Sequence, residues 1–184
     1  GAEPVDSSKE IARVIPVIEA LRNANPTGLI SIDSRRADVA RAALDAGANM
    51  INDVSGLRDP EMEALVIERG CAVCIMHMQG EPGNMQQNPN YDDVFSEVYY
   101  SLTSIADRLV EKGHEPGLIC LDPGIGFGKS LTHNLELLHT RSDSPYSILW
   151  GVSRKSMFAQ LLGREETENR LAGTLGVAAH ADRV

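Results

Sequence analysis

The feature that most constrains this chain is a unit that recurs five times: a short apolar run, a polar residue at its end, a turn, then a helical pattern, closed by glycine in four of the five. "LISID" ends at Asp33; Ser34 is expected to cap "RRADVARAALDAG", where Val39, Ala40, Ala43 and Leu44 share a face and Gly47 terminates the helix. "MIND" ends at Asn52 and Asp53, and Asp59 with Pro60 opens "DPEMEALVIERG" as a capping residue followed by proline at the first helical position. "AVCIMHM" carries His77 near its end and leads, through a polar loop, to the amphipathic "YDDVFSEVYYSLTSIADRLVEKG". "LICLD" ends at Asp122, and Thr132 is expected to cap "HNLELLHTR". "ILWGV" runs into Ser153 and then "RKSMFAQLLG". The closing "ENRLAGTLGVAAHADRV" reads as a helix. So does the opening "SSKEIARVIPVIEALRNAN", with a Ser7/Glu10 capping box and a Pro16 that kinks or delays it.

Strands that are apolar throughout are buried on both faces, as in a parallel sheet covered by helices. Two architectures compete. An open doubly wound sheet gathers its ligand groups at one switch point, whereas here nearly every strand ends in a polar group. A (β/α)8 barrel places its functional residues at the C-terminal ends of many strands. The expected fold is therefore α/β, a TIM-type (β/α)8 barrel. Such barrels typically run to about 250 residues. With 184 residues and five strands, residues 1–184 are expected to form one domain holding about strands 3–7 of an incomplete barrel.

Composition narrows the partners. With 17 Lys and Arg against 26 Asp and Glu, the chain carries a formal charge of −9. That argues against a nucleic-acid partner or an anionic membrane surface, because affinity for phosphate backbones is carried by clustered cations. The local basic spot is "SRKS" at 153–156. No signal-peptide pattern is found, and no apolar run approaches the roughly 20 residues of a membrane span. Three cysteines, odd in number and set in apolar runs, fit a reducing cytoplasm. Cys71 and Cys74 form C-x-x-C, but on a strand residues three apart face opposite sides, so both are expected to be structural thiols.

"LDPGIGFGKS", residues 121–130, resembles a phosphate loop and fails on a count. The residue five before Gly128 is Pro123, and Lys129 stands where the third glycine of G-x-G-x-x-G belongs. What remains is an acid, Asp122, at a strand end before a glycine-rich turn. Asp33, Asn52, Asp122 and Lys155 occupy equivalent positions in successive units, so in a parallel sheet they share one rim. A carboxylate and a carboxamide in a low-dielectric pocket suit a flat heterocycle with an amidine-like edge. Met76 could lie against a planar ligand through its sulfur or simply pack the core. His77 reads first as a core residue. Residues 79–90, "QGEPGNMQQNPN", have the length of a lid or a disordered loop. Gly124, Gly126 and Gly128 permit close backbone approach, with Phe127 between them as the aromatic able to stack. No His/Cys/Asp/Glu cluster at ligand spacing points to a protein-held metal.

"SIDS", "INDVSG", "CIMHMQGEPGNMQQNPNYDDV", "LDPGIGFGKS" and "GVSRKSM" resemble, in order and spacing, the dihydropteroate synthase family, the folate-pathway target of sulfonamides. The resemblance spans essentially the whole chain. It implies a (β/α)8 barrel that joins 6-hydroxymethyl-7,8-dihydropterin pyrophosphate to p-aminobenzoate with Mg²⁺ and is usually a homodimer. It further implies that Asn52, Asp122 and Lys155 bond the pterin, Asp33 lies beside the ring, Met76 lies against its face, and Phe127 and Ser153 belong to the p-aminobenzoate pocket. Asp33 and Lys155 are the expected catalytic residues. The family's metal-binding Asn, on its first strand, would lie before Gly1. The Arg and His of its last strand have no aligned counterpart either, since Arg183 still belongs to the closing helix. Residues 1–184 taken alone are accordingly expected to be inactive. The rivals are a pterin-binding methyltransferase domain, which would not be expected to carry "SRKS" with "MHMQG", and a non-catalytic pterin-binding fragment.

Overall fold

The computed structural model describes residues 5–140, 142–163 and 165–181. Along the chain these form α1 (Ser7–Ala24), β1 (Ser31–Asp33), α2 (Ala37–Asp45), β2 (Met50–Asp53), α3 (Pro60–Arg69) and β3 (Ala72–Met76), followed by α4 (Val94–Glu111), β4 (Ile119–Asp122), α5 (Leu131–His139), β5 (Ser147–Ile148), α6 (Met157–Leu162) and α7 (Leu171–Ala181). The five strands pair in sequence order, and every pairing is parallel. That is the expected βα repeat, arranged as consecutive staves of a barrel. No helix among the described residues is long and apolar enough to cross a membrane. Residues 182–184, Arg183 among them, lie outside the described residues.

The register divides the sheet into two faces. Ile32, Ile51, Val73 and Ile119 are partners in one row, and together with Ile75 and Leu121 they pack under the helices. Ala40, Ala43, Met62, Leu65, Val66, Val98, Leu102, Leu109 and Leu137 cover them and are essentially excluded from solvent. The opposite face carries a second row, Asp33, Asn52, Cys74, Cys120 and Ser147, with Met76 and Asp122 paired one step nearer the strand ends. The expectation of two buried faces needs correcting for β1, whose Ser31 and Asp33 are exposed. Apolar composition alone could not separate a helix-packed face from a polar face that meets a ligand.

Several local expectations also shift. At α1 the cap is Asp6, which accepts from the Ser8 backbone N–H at 2.9 Å, in place of the Ser7/Glu10 box. A carboxylate one residue earlier is the better acceptor. Glu10 instead accepts from Ser34 Oγ at 2.9 Å, so Ser34 joins two helices and α2 begins without a side-chain cap. The helix runs unbroken through Pro16. Ser130, not Thr132, caps α5, with His133 completing a reciprocal box. "ILWGV" enters the ladder only at Ser147–Ile148, and α6 starts at Met157, which leaves Lys155 in the preceding loop. Asp59 and Pro60 open α3 as expected.

Glu63 on α3 is nearly buried and accepts from Arg108 Nη2 at 2.8 Å and Lys112 Nζ at 2.6 Å, tying α3 to α4. The hydrogen bond from Arg108 chiefly holds its carboxyl below the ordinary value of 4.5. A depressed acid contributes stability above its unfolded pKa and loses it as pH falls through the folded one. Because both cations are half-exposed, Glu63→Gln is expected to cost about 1–2 kcal/mol near neutrality. Urea titrations should show that gap closing on acidification below the ordinary carboxylate range.

Candidate active site

The candidate site is built at the C-terminal ends of the strands, where the chain leaves each β-strand for its helix. Asp33 and Asn52 are register partners at the ends of β1 and β2, and Asn52 Nδ2 donates to Asp33 Oδ2 at 3.4 Å. That bond leaves the other half of the carboxamide open: Asn52 Oδ1 is buried and has no donor to it among the described residues. A buried acceptor left unpaired costs about 1–3 kcal/mol, so this one is aimed at something that brings a donor. The neighbouring acid is different. Asp53, fully buried, accepts from Ser55 N, Ser55 Oγ and Leu57 N and is committed to the β2–α3 turn.

Asp122 ends β4 opposite Met76 of β3. Its Oδ1 accepts from the Gly124 N–H at 2.8 Å. Burial, the largest influence, pushes its carboxyl above the usual range, with Gly124 and the charges of Lys155 and Lys129 pulling back. Asp33 is raised for the same main reason, its exposed edge notwithstanding, with the Asn52 bond opposing. Both acids therefore sit in a site that penalises negative charge and rewards a ligand offering N–H groups. Met76 is buried beside Asp122.

Lys155 reaches the same rim from the loop before α6. Its ammonium is 4.0 Å from the centroid of the Phe127 ring, a cation–π contact, and burial lowers its pKa while Asp122 opposes that shift. Phe127 is held by a turn in which its N–H donates to the Gly124 carbonyl at 3.0 Å. The structure thus brings Asp33 to Asn52, Met76 to Asp122, and Lys155 to both Asp122 and Phe127. Ser153 is exposed in the turn before Lys155.

Residues 79–90 are a compact loop rather than a disordered one. Gln79 Nε2 donates to the Asn90 carbonyl at 2.9 Å, and the Asn90 N–H returns to Gln79 Oε1 at 3.0 Å, closing its base. Arg58 donates to the carbonyls of Gly80 and Met78, and Gln86 Nε2 donates to the Gly126 carbonyl at 2.7 Å, laying the loop over the glycine-rich turn. A cavity of about 500 Å³, lined by Gln86, Lys129, Ser130 and Asn134 among others, flanks this contact. A second groove of about 480 Å³ lies between α3 and α4, lined by Leu57, Pro60 and Lys112 among others.

Sequence reasoning passed over Lys129. It is nearly fully buried, and its Nζ is 3.1 Å from His77 Nδ1. The signal to be had was a lysine directly after three closely spaced glycines, in a turn too tight to let its side chain wander. His77, read as a core residue, is half-buried and faces this lysine. Among the described residues no three His, Cys, Asp or Glu side chains gather as a metal site.

Comparison with known proteins bears on the family and the fold. A probable bifunctional folylpolyglutamate synthase/dihydropteroate synthase of Haloferax volcanii is 45% identical over 188 residues, covering 100% of this chain and 22% of its own length. The dihydropteroate synthase of Escherichia coli is 42% identical over 185 residues, covering 98% of this chain and 64% of its own length. The chain therefore spans less than two thirds of either curated relative. The crystal structure of Burkholderia cenocepacia dihydropteroate synthase complexed with 7,8-dihydropteroate superposes with a TM-score of 0.88 at 41% identity, covering 98% of this chain and 68% of that one. The family described as pterin binding enzyme matches residues 1–184. With the whole sequence matched and the strand-end site built as described, this chain belongs to the pterin binding enzyme family.

Proposed function

We propose that the protein carrying this chain is a dihydropteroate synthase, joining 6-hydroxymethyl-7,8-dihydropterin pyrophosphate to p-aminobenzoate. The observation that carries the reading is the pairing at one rim of a buried, unpartnered acceptor, Asn52 Oδ1, with a buried carboxylate, Asp122. A pterin's aminopyrimidine edge supplies the N–H donors that both require. Asp122 would take two of them, Asn52 Oδ1 another, and Met76 would pack against the ring. Lys155, close to Asp122, would donate to the ring's carbonyl or nitrogen acceptors.

The chemistry asks little of a general base. The carbon–oxygen bond to pyrophosphate breaks with its electron pair leaving on the pyrophosphate, and a cation develops on the pterin methylene. The aniline nitrogen of p-aminobenzoate attacks that carbon, forms the carbon–nitrogen bond and releases a proton to water. The Asp33 carboxylate, on the same face of the sheet as Asn52, would stabilise the cation as it forms. Phe127, backed by the Lys155 ammonium, would form an aromatic wall for the incoming ring, with Ser153 at its rim. Mg²⁺, carried over from the family, would accompany the pyrophosphate. Sulfonamides, as mimics of p-aminobenzoate, would compete at Phe127. A cytoplasmic homodimer belongs to the same proposal.

The three relatives are all described as dihydropteroate synthases, which favours this reading over a pterin-dependent methyltransferase. The test is pyrophosphate release by the complete protein, measured with each substrate alone and with both. Release that requires both substrates, with stoichiometric dihydropteroate, is expected. Pterin binding without release would leave a non-catalytic pterin-binding protein, and neither binding nor release would end the proposal.

A further inference from the structure

We propose that Lys129 is a positioning residue for the p-aminobenzoate pocket: its buried ammonium clamps the glycine-rich turn at 124–128 to the end of β3 and so fixes Phe127 against Lys155. The proposal rests on the synthase reading above for what the pocket binds, but the clamp itself rests on geometry alone. Lys129 Nζ has three acceptors around it: His77 Nδ1 at 3.1 Å, the His77 carbonyl at 3.3 Å and the Phe127 carbonyl at 3.0 Å. An ammonium has three N–H groups, so each has a destination. Two of the acceptors belong to the residue just beyond β3, and the third is the carbonyl of the aromatic itself.

The surroundings pull on this charge in both directions. Burial holds His77 down to about 3, so its ring is neutral and offers Nδ1 as an acceptor. Burial also lowers Lys129 itself, to about 7, while Asp122 favours its charge and Lys155 opposes it. The turn leaves no slack on its other side. A Cβ built on Gly124 would meet the His77 carbonyl oxygen at 1.9 Å, and one built on Gly128 would meet the Gln79 carbonyl oxygen at 2.7 Å. Tyr91 closes the cluster: its hydroxyl donates to the Gly128 carbonyl at 2.8 Å, its ring centroid is 5.0 Å from that of His133, and Lys129 Nζ lies 6.0 Å from the Tyr91 ring. The turn is thus pinned at Gly124, Phe127 and Gly128, with Phe127 projecting from it to meet Lys155 at 4.0 Å. The hydrogen bonds of this lysine go to His77 and Phe127, and it reaches Asp122 on the pterin edge only through its charge. It acts through Phe127.

The test uses Lys129→Met in the complete protein, with His77→Phe as a milder variant that keeps an aromatic ring and the backbone carbonyl but removes both ring nitrogens, the Nδ1 acceptor among them. Two readouts separate positioning from general support. In kinetics, Lys129→Met is expected to raise KM for p-aminobenzoate about tenfold or more, a size that small misplacements reach, while pterin affinity by calorimetry changes less than about twofold. In a Phe127→Ala background the same substitution should add almost nothing, because the two act as one unit. In hydrogen exchange, amides of residues 124–128 should exchange faster in Lys129→Met, and to a lesser degree in His77→Phe, while β1–β3 remain unchanged. Unchanged exchange in the turn, or penalties that multiply independently of Phe127, would overturn the proposal. Absence of turnover in the unsubstituted protein would count against the synthase reading, and the exchange comparison would still decide the clamp.

Discussion

Asparagine in place of Asp122 is expected to weaken pterin binding by about 2–4 kcal/mol, roughly 30- to 900-fold, with little change in fold. The substitution preserves shape. It also preserves an oxygen able to accept from the Gly124 N–H, the bond Asp122 now makes at 2.8 Å. If that bond keeps the amide oxygen, the introduced amide nitrogen faces the ligand, and donor meets donor in a buried site. The same site predicts a pH dependence. Burial raises the Asp122 carboxyl above its ordinary value, so the ligand-accepting carboxylate is lost as pH falls through that raised pKa. Pterin affinity of the unsubstituted protein should decline on the acid side before an ordinary carboxylate would titrate. Asp122→Asn should lose most of that decline, with Asp33, raised for the same reason, supplying the remainder. Calorimetric titration across pH measures both. Equal affinities for the two proteins at neutral pH would remove Asp122 from the pterin edge.

Gly124→Ala is expected to be the most damaging small substitution in the turn, costing about 3–5 kcal/mol of stability and abolishing activity. The backbone there has φ +68°, a region unfavourable to a residue with a Cβ, and the added methyl would sit 1.9 Å from the His77 carbonyl oxygen. That oxygen is backbone at the end of β3, and the His77 N–H is itself bound to the Asp122 carbonyl at 2.9 Å. Neither partner can yield without moving the other. Gly163→Ala provides the control: φ is similar at +61°, but nothing among the described residues lies within 4 Å of the added methyl. It should cost only about 1–2 kcal/mol, the backbone term alone. Urea unfolding of both variants, read against the unsubstituted protein, checks the pair. A Gly124→Ala protein no less stable than Gly163→Ala would mean that the turn does not pack against β3 as described.

The repeat of apolar run, polar end and helix was enough to place the strands in parallel order and to put Asp33, Asn52, Met76 and Asp122 at one end of the sheet, because strand ends are positioned by the fold rather than by any local choice. Caps were harder to read. Asp6 displaced Ser7, and Ser130 displaced Thr132, since several acceptors stand within a few residues of each helix start and the winner depends on where the backbone turns. The two lysines mark the sharper limit. Lys155 in "SRKS" stands out as a local basic spot, whereas Lys129 enters only as the residue that breaks a G-x-G-x-x-G count. Burial of a lysine is a tertiary fact: it needs the His77 and Phe127 carbonyls and His77 Nδ1 converging from segments 52 and 2 residues away. Likewise, the free oxygen of Asn52 becomes visible only when its nitrogen is seen to be occupied by Asp33.

The most direct measurement of the central claim is a crystal structure of the complete protein with a bound pterin. The ring is expected at the C-terminal rim of the sheet, with two of its N–H groups within about 3.2 Å of the Asp122 carboxylate, Asn52 Oδ1 accepting a further ring donor, and Met76 against its face. A pterin bound instead in the groove between α3 and α4, or with Asn52 Oδ1 and Asp122 left without contact to it, would contradict the account.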